Sequence, residues 1–402
     1  MPHPSTFGAA LRDRWLLDPA VTYLNHGTVG ATPRAVLEHQ RQIQDEIERQ
    51  PARFLLRELA DAHDEGLGRT PRMREAAAAV AEFVGLGADD ELVFVDNITA
   101  GANAVLRSFP FQAGDEIVVT SLGYGGVVNA ARFAARDRGC TVRTIDMPRP
   151  GAPIEQFYDT IVDGLSDATR MLIVDHLAAS TALLLPIAAI AEECHRRGVL
   201  VFADGAHVPG NVPLDIASLG VDWYSANLHK WAWVPRSSGI LWAAPDRQAD
   251  LRPAVISWGL DKGFKTEFDM IGTRDPSAHL SAPAAIALMK EWGIDAIRAY
   301  NHSLAWTGAH RLAERWQTAF DVPEAMIASM ATVPLPEAAG STQGEAQALR
   351  DTLFFEDAIE VQMHAYRGRV WARISAQIYN DINDIDRLAE AVLKRIGVAT
   401  AR

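Results

Sequence analysis

The chain has 402 residues, of which 48% are hydrophobic and 22% charged, so it predicts a globular protein with a large core and two domains. The 38 basic and 51 acidic residues leave a formal net charge of −13. This charge argues against a nucleic-acid-binding surface or a basic membrane-binding face, and it suits an enzyme that acts on small molecules.

The amino-terminal segment has no basic region followed by an apolar one, and no later apolar run is long enough to span a bilayer. We therefore expect a cytoplasmic protein with no membrane partner. The only cysteines are Cys140 and Cys194, which are too few for a disulfide framework and form no Cys-x-x-Cys pattern. No two histidines lie four residues apart, so a metal site is not expected.

The predicted elements begin with an amino-terminal arm, residues 1–20, and helices between residues 33 and 85. Pro33 after Thr32 is a helix start signal. Seven short apolar runs of β type follow between about residues 90 and 245, and segments of helical periodicity separate most of them. The runs are ELVFVDN, DEIVVTSL, TVRTIDM, TRMLIVDHL, VLVFADG, DWYSANL and SGILWAA. This alternation predicts an α/β fold whose mostly parallel seven-stranded sheet is flanked by helices and binds ligands at its carboxyl edge.

Beyond residue 280 the pattern changes. Two helices are predicted in SAPAAIALMKEWGIDAIRAYNHSLAWTGAHRLAERWQ, then β-type segments in MIASMATVPLP and VQMHAYRGRVWARISAQIYN, and a closing helix in INDIDRLAEAVLKRIG. We therefore predict a large domain over residues 21–280 and a smaller carboxy-terminal α/β domain over residues 281–402.

Two residues indicate the chemistry of the sheet edge. Asp204 ends the apolar run VLVFADG, and Lys230 follows one strand later in SANLHKWAWVPRSSG. Simpler interpretations are an aspartate that caps a turn and a surface lysine whose stem covers two indoles. Together, however, they suit pyridoxal phosphate, because a lysine forms a Schiff base with its aldehyde and a carboxylate keeps its pyridine nitrogen protonated.

The phosphate of that cofactor needs a binding site for an anion. In DNITAGANAV a strand ends at Asn97, and Ile98 and Thr99 open a helix. The free backbone N–H groups and the Thr99 hydroxyl can bind an anion there. The simpler alternative is that Thr99 only caps the helix.

Around Asp204, His207, His229 and Lys230, the chain resembles the class V aminotransferase family of fold-type I pyridoxal-phosphate enzymes. The motifs YLNHGTVGATP, RQPARFL, VTSLGYGGVVNAARF, IGTRDPSAHL and RISAQIYN are most similar to its isopenicillin N epimerase-like subgroup. By this resemblance, Lys230 would form the internal aldimine, Asp204 would pair with the pyridine nitrogen and His207 would bond the phenolic oxygen. The phosphate would be held by Ile98, Thr99, Asn227 and His229.

The resemblance also implies that Tyr124 stacks on the cofactor, although a loop tyrosine packed on a helix is the alternative. Thr273 would reach the phosphate of a neighbouring subunit, which implies a homodimer with shared active sites. A Gly-Thr turn without function is the alternative, in which Arg274 would be an ion-pair partner of Asp275 or a surface charge.

Arg373 is the candidate for binding the substrate α-carboxylate. In VWARISA it would share a strand face with Trp371 and Ser375, and a guanidinium matches a carboxylate through two parallel hydrogen bonds. A solvated strand arginine is the alternative. In relatives, Asn25 and His26 belong to a loop that approaches the substrate.

The resemblance implies a reaction at the Cα of an amino acid, in which the freed Lys230 takes the Cα proton to give a quinonoid carbanion. Reprotonation from the opposite face gives epimerisation, our leading hypothesis; transamination and elimination are the alternatives. The second proton donor of an epimerase would be Tyr124, His26 or His176. Desulfuration through a cysteine persulfide is not expected because no cysteine follows Lys230, but cysteine-independent C–S elimination stays open. A catalytically silent binding protein is a remote alternative, which the intact set of cofactor residues opposes.

Overall fold

The computed structural model describes residues 6–60, 70–87 and 92–397. The strands are β1 (Thr22–Tyr23), β2 (Leu92–Val95), β3 (Glu116–Thr120), β4 (Thr141–Ile145), β5 (Thr169–Asp175), β6 (Leu200–Asp204), β7 (Trp223–Asn227), β8 (Gly239–Ala243), β9 (Met330–Pro334), β10 (Ile359–Glu360), β11 (Gln362–Tyr366) and β12 (Arg369–Ser375). The α-helices are α1 (Arg34–Arg49), α2 (Pro51–Arg53), α3 (Arg72–Phe83), α4 (Ile98–Ser108), α5 (Gly125–Arg138), α6 (Ile154–Asp163), α7 (Ile187–Arg196), α8 (Phe264–Asp269), α9 (Ser277–Leu280), α10 (Ala282–Glu291), α11 (Ile294–Trp316), α12 (Gln343–Asp357) and α13 (Ile382–Arg395). A π-helical turn, Phe54–Glu58, follows α2.

The predicted seven-stranded sheet is confirmed, with the strand order β2-β8-β7-β6-β5-β3-β4. Strands β3 to β7 pair in parallel, whereas β8 is antiparallel to both β7 and β2. Neighbouring residues of one strand belong to different cores: Ile117 of β3 packs in one hydrophobic cluster and Val118 in another. Because successive side chains point to opposite faces, the sheet is buried on both sides, which explains its uninterrupted apolar runs.

A second sheet has the order β11-β12-β9 and is antiparallel throughout. Strands β11 and β12 form a hairpin whose two loop residues, Arg367 and Gly368, have φ angles of 48° and 73°. Positive φ at both positions is the geometry of a type I′ turn. The amino-terminal loop joins this sheet through a bridge between Asn25 and Ser375, so it lies beside β12, while β1 pairs with β10 in a separate two-stranded sheet.

The predicted helices and strands beyond residue 280 are present, as is the helix that starts directly after Pro33. Helix α12 was missed, although its capping box, formed by Thr342 and Glu345, is visible in the sequence. Parts of the predicted arm, the residue 33–85 helices, the ELVFVDN strand and the carboxy-terminal domain fall on residues 1–5, 61–69, 88–91 and 398–402, which lie outside the described residues. The division into two domains stays a prediction. In the described part of the chain, no helix combines the length and apolar character needed to cross a membrane.

Candidate active site

A cavity of about 480 Å³ lies at the carboxyl edge of the seven-stranded sheet. It is lined by residues at or just after the ends of β2, β5, β6 and β7, together with the amino-terminal loop and the β11–β12 hairpin. Nine of the twelve predicted site residues line this cavity: Ile98, Thr99, Tyr124, Asp204, His207, Asn227, His229, Lys230 and Arg373.

Lys230 and His207 contact each other in this cavity, with 3.1 Å between Lys230 Nζ and His207 Nε2. Burial lowers the pKa of Lys230 to about 8, although the carboxylate of Asp204 opposes this shift. Trp231 Nε1 lies 3.4 Å from His207 Nδ1. Because an indole N–H only donates, Nδ1 accepts and the proton of the neutral imidazole is on Nε2. That N–H can donate to Lys230 Nζ only in the uncharged amine, which at a pKa of about 8 is the minor form at neutral pH.

Asp204 offers a partner for a protonated ring nitrogen. Its Oδ1 accepts a hydrogen bond of 2.9 Å from the Ala206 N–H. Its Oδ2 is buried and has no hydrogen-bond partner among the described residues. Burial raises the pKa of Asp204 to about 6, and the Ala206 amide and Lys230 oppose the shift. An unpaired buried oxygen costs about 1–3 kcal/mol, and the pyridinium N–H of pyridoxal phosphate would supply its missing donor.

A second carboxylate, Asp175, was missed by the sequence reasoning. It ends β5 directly opposite Asp204 in the parallel register and lines the same cavity. Burial and the neighbouring Asp204 raise its pKa well above the usual value, while the Tyr124 backbone N–H opposes the shift. The signal was present, since TRMLIVDHL ends an apolar run with aspartate just as VLVFADG does.

The first turn of α4 provides a site for a phosphate. Asn97 caps the helix by accepting from the Ala100 N–H at 3.0 Å, and Asn227 Oδ1 accepts from the Ile98 N–H at 2.8 Å. Thr99 lies in the same turn, where amides have no intrahelical acceptor, and it lines the cavity. His229 borders it, with its ring held by a contact of 2.8 Å between Nδ1 and Ser238 O. A helix start with ordered amides suits an anion.

Arg373 forms the opposite wall of the cavity, and only 4% of it is exposed. Its guanidinium donates to Ala179 O and to Thr28 Oγ1, and it lies 3.4 Å from Asn25 Oδ1. Its Nε is buried without a partner among the described residues. Burial lowers the pKa of Arg373 to about 10, so it stays cationic at neutral pH. A buried cation with only neutral partners is suited to a substrate carboxylate.

Three predicted site residues do not line the cavity. Asn25 donates to Glu360 Oε1 at 2.6 Å and is the neighbour of Arg373 named above. His26 is fully buried, with Nε2 3.0 Å from Lys230 O. Thr273 is exposed in the turn before α9, and its contact with a neighbouring subunit stays a prediction. Arg274 pairs with Asp96 at 3.2 Å, not with Asp275, because that carboxylate accepts from Gln44 and from the Ser277 amide.

The three candidates for a second proton donor are placed differently. His26 and His176 do not line the cavity, and burial lowers the pKa of each to about 4. His176 instead contacts Tyr224 Oη, 3.0 Å away. Tyr124 does line the cavity, as the residue before α5, and it is 46% exposed. Further lining residues that the sequence reasoning missed are Thr28, Ser180, Gln362 and His364.

The fold and the site together define a class of protein. A lysine and an unpaired buried carboxylate oxygen share the cavity at the sheet edge with a helix start suited to phosphate, and a buried arginine borders it. These are the features of a fold-type I pyridoxal-phosphate enzyme. The family model described as aminotransferase class-V matches residues 22–388. The chain belongs to this family, and pyridoxal 5′-phosphate is its cofactor.

Curated relatives and solved structures cover nearly the whole chain. A probable chloroplastic L-cysteine desulfhydrase of Arabidopsis thaliana is 30% identical, and the alignment covers 93% of this chain and 83% of that protein. The isopenicillin N epimerase of Amycolatopsis lactamdurans is also 30% identical, over 96% of this chain and 98% of its own. A cysteine desulfurase from Thermococcus onnurineus superimposes with a TM-score of 0.77 at 18% identity, over 99% and 100% of the chains. The predicted fold and family are thus confirmed, whereas the reaction is not determined.

Proposed function

We propose that this protein removes the Cα proton of a small α-amino acid and eliminates a sulfur substituent from its β-carbon. The observation that carries this proposal is that Lys230 is the one amine among the described residues that line the cavity, and burial lowers its pKa to about 8. The imidazoles of His207, His229 and His364 line the same cavity, but burial lowers the pKa of each. Elimination needs a single base on one face of Cα, whereas inversion needs a second proton donor.

The size of the cavity supports a small substrate. At about 480 Å³ it lies in the lower half of the range of roughly 300–1,000 Å³ that is usual for small-molecule sites. The cofactor takes part of this space. The remainder suits an amino acid of the size of cysteine better than a bulky peptide-derived substrate, and two of the relatives compared are named for cysteine desulfhydrase and cysteine desulfurase activities.

Two residues of the cavity would have distinct roles in this reaction. Arg373 would bind the α-carboxylate and orient Cα, and Lys230 would accept the Cα proton at Nζ. The cofactor, when bound, supplies an electron sink for the negative charge that develops at Cα. As the Cα–H and Cβ–S bonds break, a carbon–carbon double bond forms and the sulfur leaves as a thiolate. Water then converts the released enamine into pyruvate and ammonia, which balances the reaction.

Epimerisation is the second candidate, and one observation favours it. The phenol of Tyr124 lines the cavity from the start of α5, whereas Lys230 reaches it from the segment after β7. Two proton-transferring groups on different elements are what inversion at Cα requires. The identity of 30% with an isopenicillin N epimerase supports the same candidate.

The experiment incubates the enzyme with L-cysteine, L-cystine and L-alanine in deuterated water. Elimination predicts equal amounts of pyruvate and ammonia, with sulfide released from cysteine and a persulfide from cystine. Lys230→Ala should abolish these products, whereas Lys290→Ala, which removes an exposed lysine paired with Glu82, should not. Recovered D-amino acid without pyruvate would favour epimerisation, and pyruvate from L-alanine without ammonia would indicate transamination.

We also propose a homodimer. Val255, Ile256 and Trp258 are exposed by 56%, 52% and 82% within one short segment, and adjacent exposed apolar side chains of this size are typical of protein interfaces. A second copy would cover them. Analytical ultracentrifugation should show a dimer that Trp258→Ser weakens, and a monomer at micromolar concentration would contradict the proposal.

A further inference from the structure

The β11–β12 hairpin presents one polar face to the cavity. In its antiparallel register Gln362 lies opposite Arg373, and His364 lies opposite Trp371. Opposite residues share a sheet face, and so do residues two apart in one strand. Gln362, His364 and Arg373 therefore lie on the same face, and all three line the cavity. The alternate residue, Met363, is completely buried behind them.

His364 carries an unused hydrogen-bonding atom. Its Nε2 is buried and has no hydrogen-bond partner among the described residues. Burial lowers the pKa of His364 to about 4, and the charge of Arg373 adds to the shift, so the ring is neutral at pH 7. Buried polar atoms are almost always hydrogen-bonded in native proteins. Because His364 lines the cavity, a ligand is the natural partner for this atom.

The position of His364 relative to Arg373 matches the two ends of a small amino acid. Diagonal neighbours on an antiparallel ribbon are separated by about 7–8 Å between Cα atoms, a distance that two side chains reaching toward a common ligand readily span. If Arg373 holds the α-carboxylate, the imidazole borders the space for the side chain. Gln362 lies directly opposite Arg373 and two residues from His364 on β11, with its Nε2 3.3 Å from Met363 O.

We infer that His364, flanked by Gln362, forms the subsite for the substrate side chain and selects an amino acid whose β-carbon carries an uncharged hydrogen-bonding group, such as a thiol or hydroxyl. This inference rests on the proposed function only in taking an α-amino acid as the substrate. An alkyl side chain of the same shape would leave Nε2 unpaired. A site built around such a hydrogen bond rejects the analogue that lacks it.

The test compares two isosteric ligands, L-serine and L-2-aminobutyrate, which differ by a hydroxyl and a methyl group. Their dissociation constants are measured by calorimetry on the cofactor-loaded Lys230→Ala protein, which cannot turn them over. We expect L-serine to bind about tenfold more tightly or better. His364→Phe should bring the ratio to about one and change the affinity for L-2-aminobutyrate less than about threefold. His364→Gln, whose amide nitrogen reaches a similar position, should restore part of the preference.

His302→Phe is the matched control, because His302 lies on α11 and contacts Ile327 O and Glu324 instead of the cavity. It should leave the ratio unchanged. The inference is overturned if the parent protein shows no preference, if His364→Phe keeps it, or if that variant weakens both ligands equally, which would indicate a packing role. In the protein with Lys230 intact, the same preference between the two ligands is measured from their exchange of the Cα hydrogen with solvent. The calorimetry involves no turnover. A protein that releases no sulfide would therefore refute the proposed reaction, whereas the ratio of the two dissociation constants would still test the role of His364.

Discussion

The buried imidazole of His26 should make the free energy of unfolding depend on pH, and the substitution His26→Phe isolates this contribution. His26 is fully buried and contacts Lys230 O through Nε2 at 3.0 Å and Tyr379 Oη through Nδ1 at 2.9 Å. A carbonyl only accepts, so Nε2 carries the proton and Nδ1 accepts from the tyrosine. His26→Phe keeps an aromatic ring beside Trp231, whose ring centroid is 5.0 Å away, but removes these two hydrogen bonds and a longer one of 3.4 Å from the Ala31 N–H to Nδ1.

The magnitude follows from the two contacts and from the titration of the ring. Loss of both bonds leaves a buried carbonyl and a buried hydroxyl unpaired, which at pH 7.5 should lower the free energy of unfolding by about 2–4 kcal/mol. Burial lowers the pKa of His26 to about 4 from the ordinary 6.5. The unfolded chain therefore binds the proton first, and the stabilisation that is present above pH 6.5 is lost as the pH falls toward 4. By pH 5 the wild type should have lost about 2 kcal/mol through this one residue.

Urea unfolding of wild type and His26→Phe at pH 7.5 and pH 5.0, at equal cofactor saturation, measures the difference directly. Other titrating groups cancel in the comparison, so the gap between the two proteins should narrow by about 2 kcal/mol at pH 5.0. His302→Phe, which alters a partly exposed ring, is the control. A gap of equal size at both pH values would refute the assignment of His26 as a buried neutral imidazole.

Three further substitutions probe the cavity. Asp204→Asn should weaken pyridoxal phosphate binding about 10- to 150-fold by removing a charge-assisted hydrogen bond of about 1.5–3 kcal/mol; fluorescence titration of the apoprotein measures this, and unchanged affinity would contradict the assigned partner. Arg373→Lys should raise KM about tenfold or more because the lysine lacks the planar fork, and steady-state kinetics would show an unchanged KM if the carboxylate binds elsewhere. Gly30→Ala would place a Cβ 2.7 Å from Lys230 O, so we expect the free energy of unfolding to fall by about 1–3 kcal/mol. Chemical denaturation measures this change, and a variant as stable as the wild type would show that the loop can shift to accommodate the methyl group.

The fold class was predictable because burial on both faces gives each central strand an uninterrupted apolar run. The order of strands was not predictable in this way. It depends on which crossovers pack together, and the antiparallel strand β8 inserts between β2 and β7, although its sequence SGILWAA differs little in character from the parallel runs.

The candidate site was predictable where a local signal marks it. Asp204 follows an apolar strand, and Asn97 precedes a helix, so short stretches of sequence identify both. Thr28 and His364 carry no such signal. They reach the cavity only because the amino-terminal loop and the β11–β12 hairpin pack against the edge of a sheet formed mostly of residues distant in sequence. Such long-range packing leaves no periodicity near the residue itself, and although the motif YLNHGTVGATP contains Thr28, the family resemblance gave no role to either residue.

The contacts of the His207 ring have a consequence for how the enzyme matures. Lys230 and Trp231 are adjacent in sequence, yet they meet the two nitrogens of one imidazole from either side. The indole fixes which nitrogen carries the hydrogen, and that hydrogen can be donated only to the uncharged form of the neighbouring amine. Because its pKa is about 8, only part of the amine in a newly folded apoprotein is the uncharged nucleophile at neutral pH. Reconstitution should therefore become faster as the pH rises through about 8, and a misplaced loop that separates the indole from the ring would slow capture of the cofactor before it affected any later step.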